Sequence, residues 1–129
     1  MSAVGLRILV IAAAMGLVVG ACSSGGVNYA QGKALTGGDP EAGKQALMFH
    51  DCHSCHVIPG IEGDQTTQGP GLEHWSKRKT IANEWPNTPQ NLENWIQHSE
   101  QLRPATTMKL LNVSENDARD IAAYLYSLK

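Results

Sequence analysis

Three stretches with apolar residues at helical spacing, each opened by a capping signal, predict an all-α domain in this 129-residue chain, since no alternating strand pattern competes with them. The first helix is expected from Glu41 to about Asp51. Asp39 is a good N-cap, Pro40 suits the first helical position, and Glu41 sits near the positive end of the helix dipole. Gly43 costs this helix about 1 kcal/mol of propensity, a loss that a close helix crossing there would offset. Ala46, Leu47 and His50 follow Gly43 at spacings that share its face. A middle helix is expected from about Gln90 to His98, opened by Thr88-Pro89, with Leu92, Trp95 and Ile96 inward and Pro104 beyond its end. The last is expected from about Glu115 to Ser127. Ser114-Glu115-Asn116-Asp117 resembles a capping box with Asp in place of Glu or Gln, and Ile121, Tyr124, Leu125 and Leu128 form one apolar stripe.

The first 22 residues set the compartment. Arg7 supplies a positive start, Ile8 to Val19 is a short apolar run, and Val19-Gly20-Ala21-Cys22 closes it with small residues before a cysteine. This resembles a bacterial lipoprotein signal cleaved before Cys22, with lipid added to that thiol. An uncleaved membrane anchor is the alternative, but the run is short of the about 20 residues a span needs. A leader followed by an unlipidated Cys22 is another. The expected organisation is a signal peptide at 1–21, a lipidated Cys and flexible tether at 22–38, and one domain at 39–129. The tether reading rests on Gly25, Gly26, Gly32, Gly37 and Gly38 with little apolar content. Such a chain reaches roughly 20–25 Å; ordering against a partner is the alternative.

Charge excludes one function class. The chain carries 10 Lys and Arg against 12 Asp and Glu, a net charge of −2, and it becomes more negative once Arg7 leaves with the signal peptide. That balance does not suggest nucleic-acid binding. A domain this small, with a single phenylalanine, has a thin apolar core of its own.

Cys52-His53-Ser54-Cys55-His56 carries the chemistry. C-x-x-C-H is the attachment run of c-type haem: two thiols two residues apart can add to the vinyl groups of one haem, and the next residue brings an imidazole under the iron. Zinc binding and thiol redox chemistry also use C-x-x-C, so the motif alone leaves them open. If lipid takes Cys22 and haem takes Cys52 and Cys55, none of the three thiols is left for a disulfide. A buried haem would supply the large apolar body that the core lacks.

Gly43, Phe49, the Cys52–His56 run, Gly69-Pro70-Gly71-Leu72, Met108 and the closing helix with Tyr124 resemble a class I monohaem cytochrome c over about Asp39 to Lys129. The stretch Asn87-Thr88-Pro89-Gln90-Asn91-Leu92-Glu93-Asn94-Trp95-Ile96, followed by Arg103-Pro104 and Met108, is similar to the cytochrome c domain fused to subunit II of some haem-copper oxidases. Monohaem lipoprotein subunits of alternative complex III share the layout. The resemblance implies a small class I cytochrome c fold, with three to five helices wrapped around one covalently bound haem c. It implies thioether bonds at Cys52 and Cys55, His56 as proximal ligand, the Pro70 carbonyl as acceptor for the other imidazole nitrogen, and Met108 as distal ligand. This chain has Lys109 where many relatives have proline.

A thioether is a soft neutral ligand that favours ferrous iron and raises the reduction potential. The usual fate of methionine is to fill core space, and that reading of Met108 stands beside the ligand one. His74 and His98 are the alternatives for the sixth position. His50 and His53 are expected as surface polar groups; with His56 they also make a zinc-like His-x-x-His-x-x-His array. Trp75, Trp85 and Trp95 are expected to pack around haem, and an indole or Arg78 is a candidate propionate donor. Lys77-Arg78-Lys79 is equally readable as a solvated charge run, or as a patch that steers an acidic redox partner.

The expected function is that of a membrane-anchored electron carrier, not an enzyme, moving single electrons between respiratory or photosynthetic complexes. Its partners would be a redox donor and acceptor, and its place the extracytoplasmic or periplasmic face of a bacterial membrane. Two alternatives are a permanently bound subunit of alternative complex III or of a haem-copper oxidase, and an open-site haem protein binding peroxide or a diatomic gas.

Overall fold

A computed structural model describes residues 26–63, 68–108 and 112–129. The leader, Cys22 and Lys109 lie outside them. The described chain is mainly helical: α1 (Tyr29–Thr36), α2 (Pro40–Phe49), a 3-10 turn at Cys52–Ser54, another at Trp75–Lys77, the two-residue strands β1 (Thr80–Ile81) and β2 (Trp85–Pro86), α3 (Pro89–Leu102) and α4 (Glu115–Ser127). The strands pair antiparallel, Ile81 opposite Trp85. This small hairpin is absent from the sequence reading because two residues carry no alternation to detect.

Caps fix the helix starts. The Asp39 carboxylate accepts from the N–H groups of Glu41 at 2.9 Å and Ala42 at 3.3 Å, with Pro40 at the first helical position. Thr88 accepts from Asn91 N at 3.2 Å and Ser114 from Asp117 N at 3.1 Å. Each bond satisfies an amide that the helix itself leaves open. α2 stops at Phe49, short of the expected Asp51, because Asp51 takes a left-handed conformation (φ 56°) to enter the 3-10 turn. α3 runs past the expected His98 to Leu102, with a break at His98 (φ −131°, ψ 25°).

α4 is the centre of the packing. A Cβ built on Gly43 would lie 1.9 Å from the Asp120 carbonyl oxygen, so α2 and α4 cross backbone to backbone. Leu47 and Ala46 of α2, Leu92 and Ile96 of α3, and Ile121 and Leu125 of α4 form the core between them. Tyr124 is 1 % exposed, and its hydroxyl donates to the Pro59 carbonyl at 2.6 Å. Tyr126 donates to Asn87 Oδ1 at 2.8 Å.

The flexible tether expected over residues 22–38 is corrected for its described part. Tyr29–Thr36 is a helix laid on α4, capped by Asn28 at one end and by Gly37 (φ 75°) at the other. Asn28 N donates to Ser127 O and Lys129 N to Gly26 O, both at 2.7 Å, and Val27 bridges to Leu128. Gly32 has the same role as Gly43: its Cβ would meet the Ala123 carbonyl at 1.9 Å. Of the glycines that read as linker composition, Gly32 and Gly38 are here the surface of a close helix contact. Among the described residues, no helix is long and apolar enough to cross a membrane.

Two outcomes follow from this packing. Gly43→Ala is expected to lower unfolding free energy by about 2–3 kcal/mol in denaturant titration, the scale of an overpacked core. Burial pushes the phenols of Tyr124 and Tyr126 up to about 12, with smaller contributions from Tyr29 and Glu41 for the first and Glu93 for the second. Below pH 10 the phenols are neutral in both folded and unfolded chains. Between about 10 and 12 only the unfolded chain ionises, so stability is expected to fall as pH rises through that window. A pH series of thermal melts checks this, and Tyr124→Phe is expected to flatten the alkaline limb.

Candidate functional site

A cavity of about 710 Å³ opens beside α4, within the range of cofactor and small-molecule sites. Its apolar walls include Leu47 of α2, Leu72, Ile81, Ile96 of α3, and Ile121 and Leu125 of α4. Cys52, Cys55, His56, Pro70, Arg78 and Met108 all line it, gathered from four separate parts of the chain.

The 3-10 turn presents the cysteines. Backbone bonds from Cys55 N (3.3 Å) and His56 N (3.0 Å) to Cys52 O fold Cys-x-x-Cys-His into one compact loop directly after α2. Burial, then the charge of Asp51, pushes the Cys52 thiol up to about 11, so it stays protonated at neutral pH.

His56 is held from the other side of the cavity mouth. Its Nδ1 lies 2.7 Å from the Pro70 carbonyl oxygen, while Gly69 N donates to Cys55 O at 2.9 Å and Leu72 N to Val57 O at 2.8 Å. These bonds lay the Gly69–Leu72 loop along the attachment loop. With Nδ1 engaged as donor to a carbonyl, Nε2 is the nitrogen left with a free lone pair. Gly69 is required here, because a Cβ would sit 2.4 Å from Cε1 of the imidazole.

Met108 arrives on the loop after α3. The Ser99 hydroxyl donates to the Met108 carbonyl at 2.6 Å, and Met108 N donates to Thr106 Oγ1 at 3.2 Å. Ser99 is 3 % exposed, so a buried hydroxyl anchors the loop that carries the thioether. Neither His74 nor His98 lines the cavity. His74 Nδ1 is bonded to the carbonyl of Lys129, and His98 is exposed at the break in α3.

Arg78 lines the cavity and is half-buried, unlike the exposed Lys77 and Lys79. Its guanidinium lies over the Trp75 ring at 5.0 Å and donates to the carbonyls of Gly71 and Glu73. Trp75 and Trp95 line the cavity, and Trp85 stacks on Trp95 from behind with centroids 5.3 Å apart.

The expectation of an exposed His50 is corrected. Its side chain is 8 % exposed, and Nε2 lies 3.0 Å from Asp117 Oδ2, because the end of α2 abuts the first turn of α4. His53 is half-buried, with Nε2 3.6 Å from Asp51. Among the described residues no three His, Cys, Asp or Glu side chains converge as a metal site, so the zinc-like array has no geometric support.

Asn87 was missed as a site residue. Its Nδ2 donates to the carbonyls of Trp75 (3.2 Å) and Arg78 (3.0 Å), tying the Trp75–Lys77 turn to the hairpin and, through Tyr126, to α4. Its contacts lie at distances in sequence that no local pattern shows.

A haem fits what these residues offer: a cavity with apolar walls, two thiols of one turn lining it, and an imidazole whose orientation is already fixed. The Cytochrome c family model matches residues 40–129 of the chain. The chain is also 33 % identical over 88 residues to cytochrome c oxidase subunit 2 of Alkalihalophilus pseudofirmus, a match covering 67 % of this chain and 25 % of that protein.

Gly69→Ala is expected to push the imidazole off Pro70. Nitrogen-detected NMR should then lose the slowly exchanging Nδ1 proton of His56, which the parent protein retains.

Proposed function

The chain belongs to the cytochrome c family, and from that premise we propose that it is a membrane-anchored carrier of single electrons whose haem iron is bound by His56 and Met108. Cytochromes c are electron-transfer proteins with covalently bound haem c, and Cys52-x-x-Cys55-His56 fits the attachment pattern. When bound, the haem supplies an iron that cycles between ferrous and ferric states.

The residues of this chain do the rest. Cys52 and Cys55 would hold the haem by thioether bonds. His56 would bind iron through Nε2, and the Pro70 carbonyl fixes its tautomer and raises its basicity. Met108 would offer its thioether as the second protein ligand, with Ser99 and Thr106 holding its loop in place. The observation that carries the reading is the gathering of His56 and Met108 on one apolar cavity that, among the described residues, no other methionine or histidine but His50 lines, and His50 is engaged by Asp117. Two protein ligands leave no open iron position for a substrate, which favours a carrier over an enzyme. Arg78 would meet a propionate: the residue lines the cavity and is half-buried, with its guanidinium over Trp75.

The anchor would be lipid on Cys22 after removal of residues 1–21, placing the domain on the extracytoplasmic face of a bacterial membrane. Donor and acceptor would then be respiratory or photosynthetic redox proteins. The oxidase subunit relative favours a second reading, a domain permanently bound in an oxidase-type complex, although only a quarter of that protein is matched. Co-purification from mild detergent separates a fixed subunit from a carrier.

Met108→Ala is expected to retain covalent haem, to bind carbon monoxide in the ferrous state, and to lower the midpoint potential by at least a tenth of the ~0.8 V range that axial ligation spans. Potentiometric titration with optical readout checks it. An unchanged potential and no ligand binding would remove Met108 from the iron.

A further inference from the structure

We propose that α1 is the surface on which the domain meets the lipid bilayer, so that the cavity opens on the side turned away from the membrane; this rests on the reading of Cys22 as acylated. The described backbone begins close to that cysteine in sequence. Four residues separate Cys22 from Val27, and the five chain steps reach at most about 18 Å. Val27 is bridged to Leu128, and Asn28 is bonded to Ser127. The chain therefore leaves the anchor and docks almost at once on α4, instead of spanning a long tether.

The face of α4 that receives α1 is not the face that lines the cavity. Gly38, Gly32 and Asn28 contact Arg119, Ala123 and Ser127, which stand one above another at four-residue spacing. The cavity is lined by Ile121 and Leu125. At 3.6 residues per turn, Ala123 lies roughly 200° around the helix from either of them. α1 and the cavity are thus on opposite sides of one helix.

Charge and exposure are consistent with a lipid surface on that side. Residues 26–38 contain Lys33 and no acid, and the Glu41 carboxylate of α2 meets this segment at Tyr29, whereas the rest of the described domain is rich in Asp and Glu. Ala30, Lys33 and Ala34 are exposed on α1, flanked by Val27 at 39 %, Tyr29 at 37 % and Leu35 at 50 % exposure. A lysine among apolar residues suits anionic headgroups, with its stem on the acyl boundary and its ammonium in the phosphate layer. The acid-rich remainder would be repelled from the same surface.

The test uses full-length, haem-loaded, acylated protein in vesicles of anionic phospholipid. A membrane-impermeant amine reagent is applied, and modification of each lysine is read by mass spectrometry against a soluble form in which residues 1–22 are replaced by a cleavable export leader without the cysteine. Lys33 is expected to be protected about fivefold in vesicles, the contribution of one lysine at an anionic surface. Lys77 and Lys79, near the cavity, should react equally in both. Zwitterionic vesicles, or a long Gly/Ser insertion before Gly26, should reduce the protection while the protein stays vesicle-bound. Acylated protein whose Lys33 reacts equally in vesicles and in solution overturns the proposed surface. So does protection at Lys77 and Lys79 in place of Lys33. Absence of lipid mass on Cys22 overturns the anchor reading itself, and this inference with it.

Discussion

The backbone crossing of α2 over α4 at Gly43 is the constraint on which the remaining structure depends. With the Asp120 carbonyl where a Cβ of residue 43 would be, the two helices come close enough for Leu47 to reach Ile121 and Leu125. Those three side chains form one wall of the cavity. The helix positioned by this crossing ends at Phe49, and the attachment turn begins only three residues later. The position of the two thiols and of His56 is therefore determined by a glycine on another turn of the helix. A second glycine contact, Gly32 on Ala123, uses the same device about one turn further along α4.

Orientation at the site comes from backbone groups more than from side chains. Pro70 offers a carbonyl and cannot donate, Gly69 leaves room for the imidazole, and Ser99 grips the carbonyl of Met108. This arrangement fixes the imidazole and the thioether loop through bonds to backbone carbonyls. It suits an electron carrier, in which the iron surroundings should change little between oxidation states. Charged side chains that share the cavity lining are engaged in turn: Arg78 on Trp75, and His50 on Asp117.

Features encoded locally were legible in the sequence. α2 and α4 begin where Asp39 and Ser114 predicted, since a cap is a contact over two or three residues. The attachment run, read with its resemblance to class I cytochromes c, pointed to Pro70 and Met108, and both line one cavity with His56. Features made by distant contacts were not legible. α1 was read as tether because Gly32, Gly37 and Gly38 look like linker, and only the approach of Ala123 and Arg119 reveals close packing. The burial of His50 depends on Asp117, and Asn87 acts on Trp75, Arg78 and Tyr126, none of which shares a local pattern with it.

The central claim is that the iron is held between the imidazole of His56 and the thioether of Met108. Near-infrared magnetic circular dichroism of the ferric wild-type protein identifies axial ligands directly. The account predicts a low-spin spectrum with the charge-transfer band of a methionine-ligated haem. A bis-histidine band, or a high-spin spectrum with water on the iron, would contradict it.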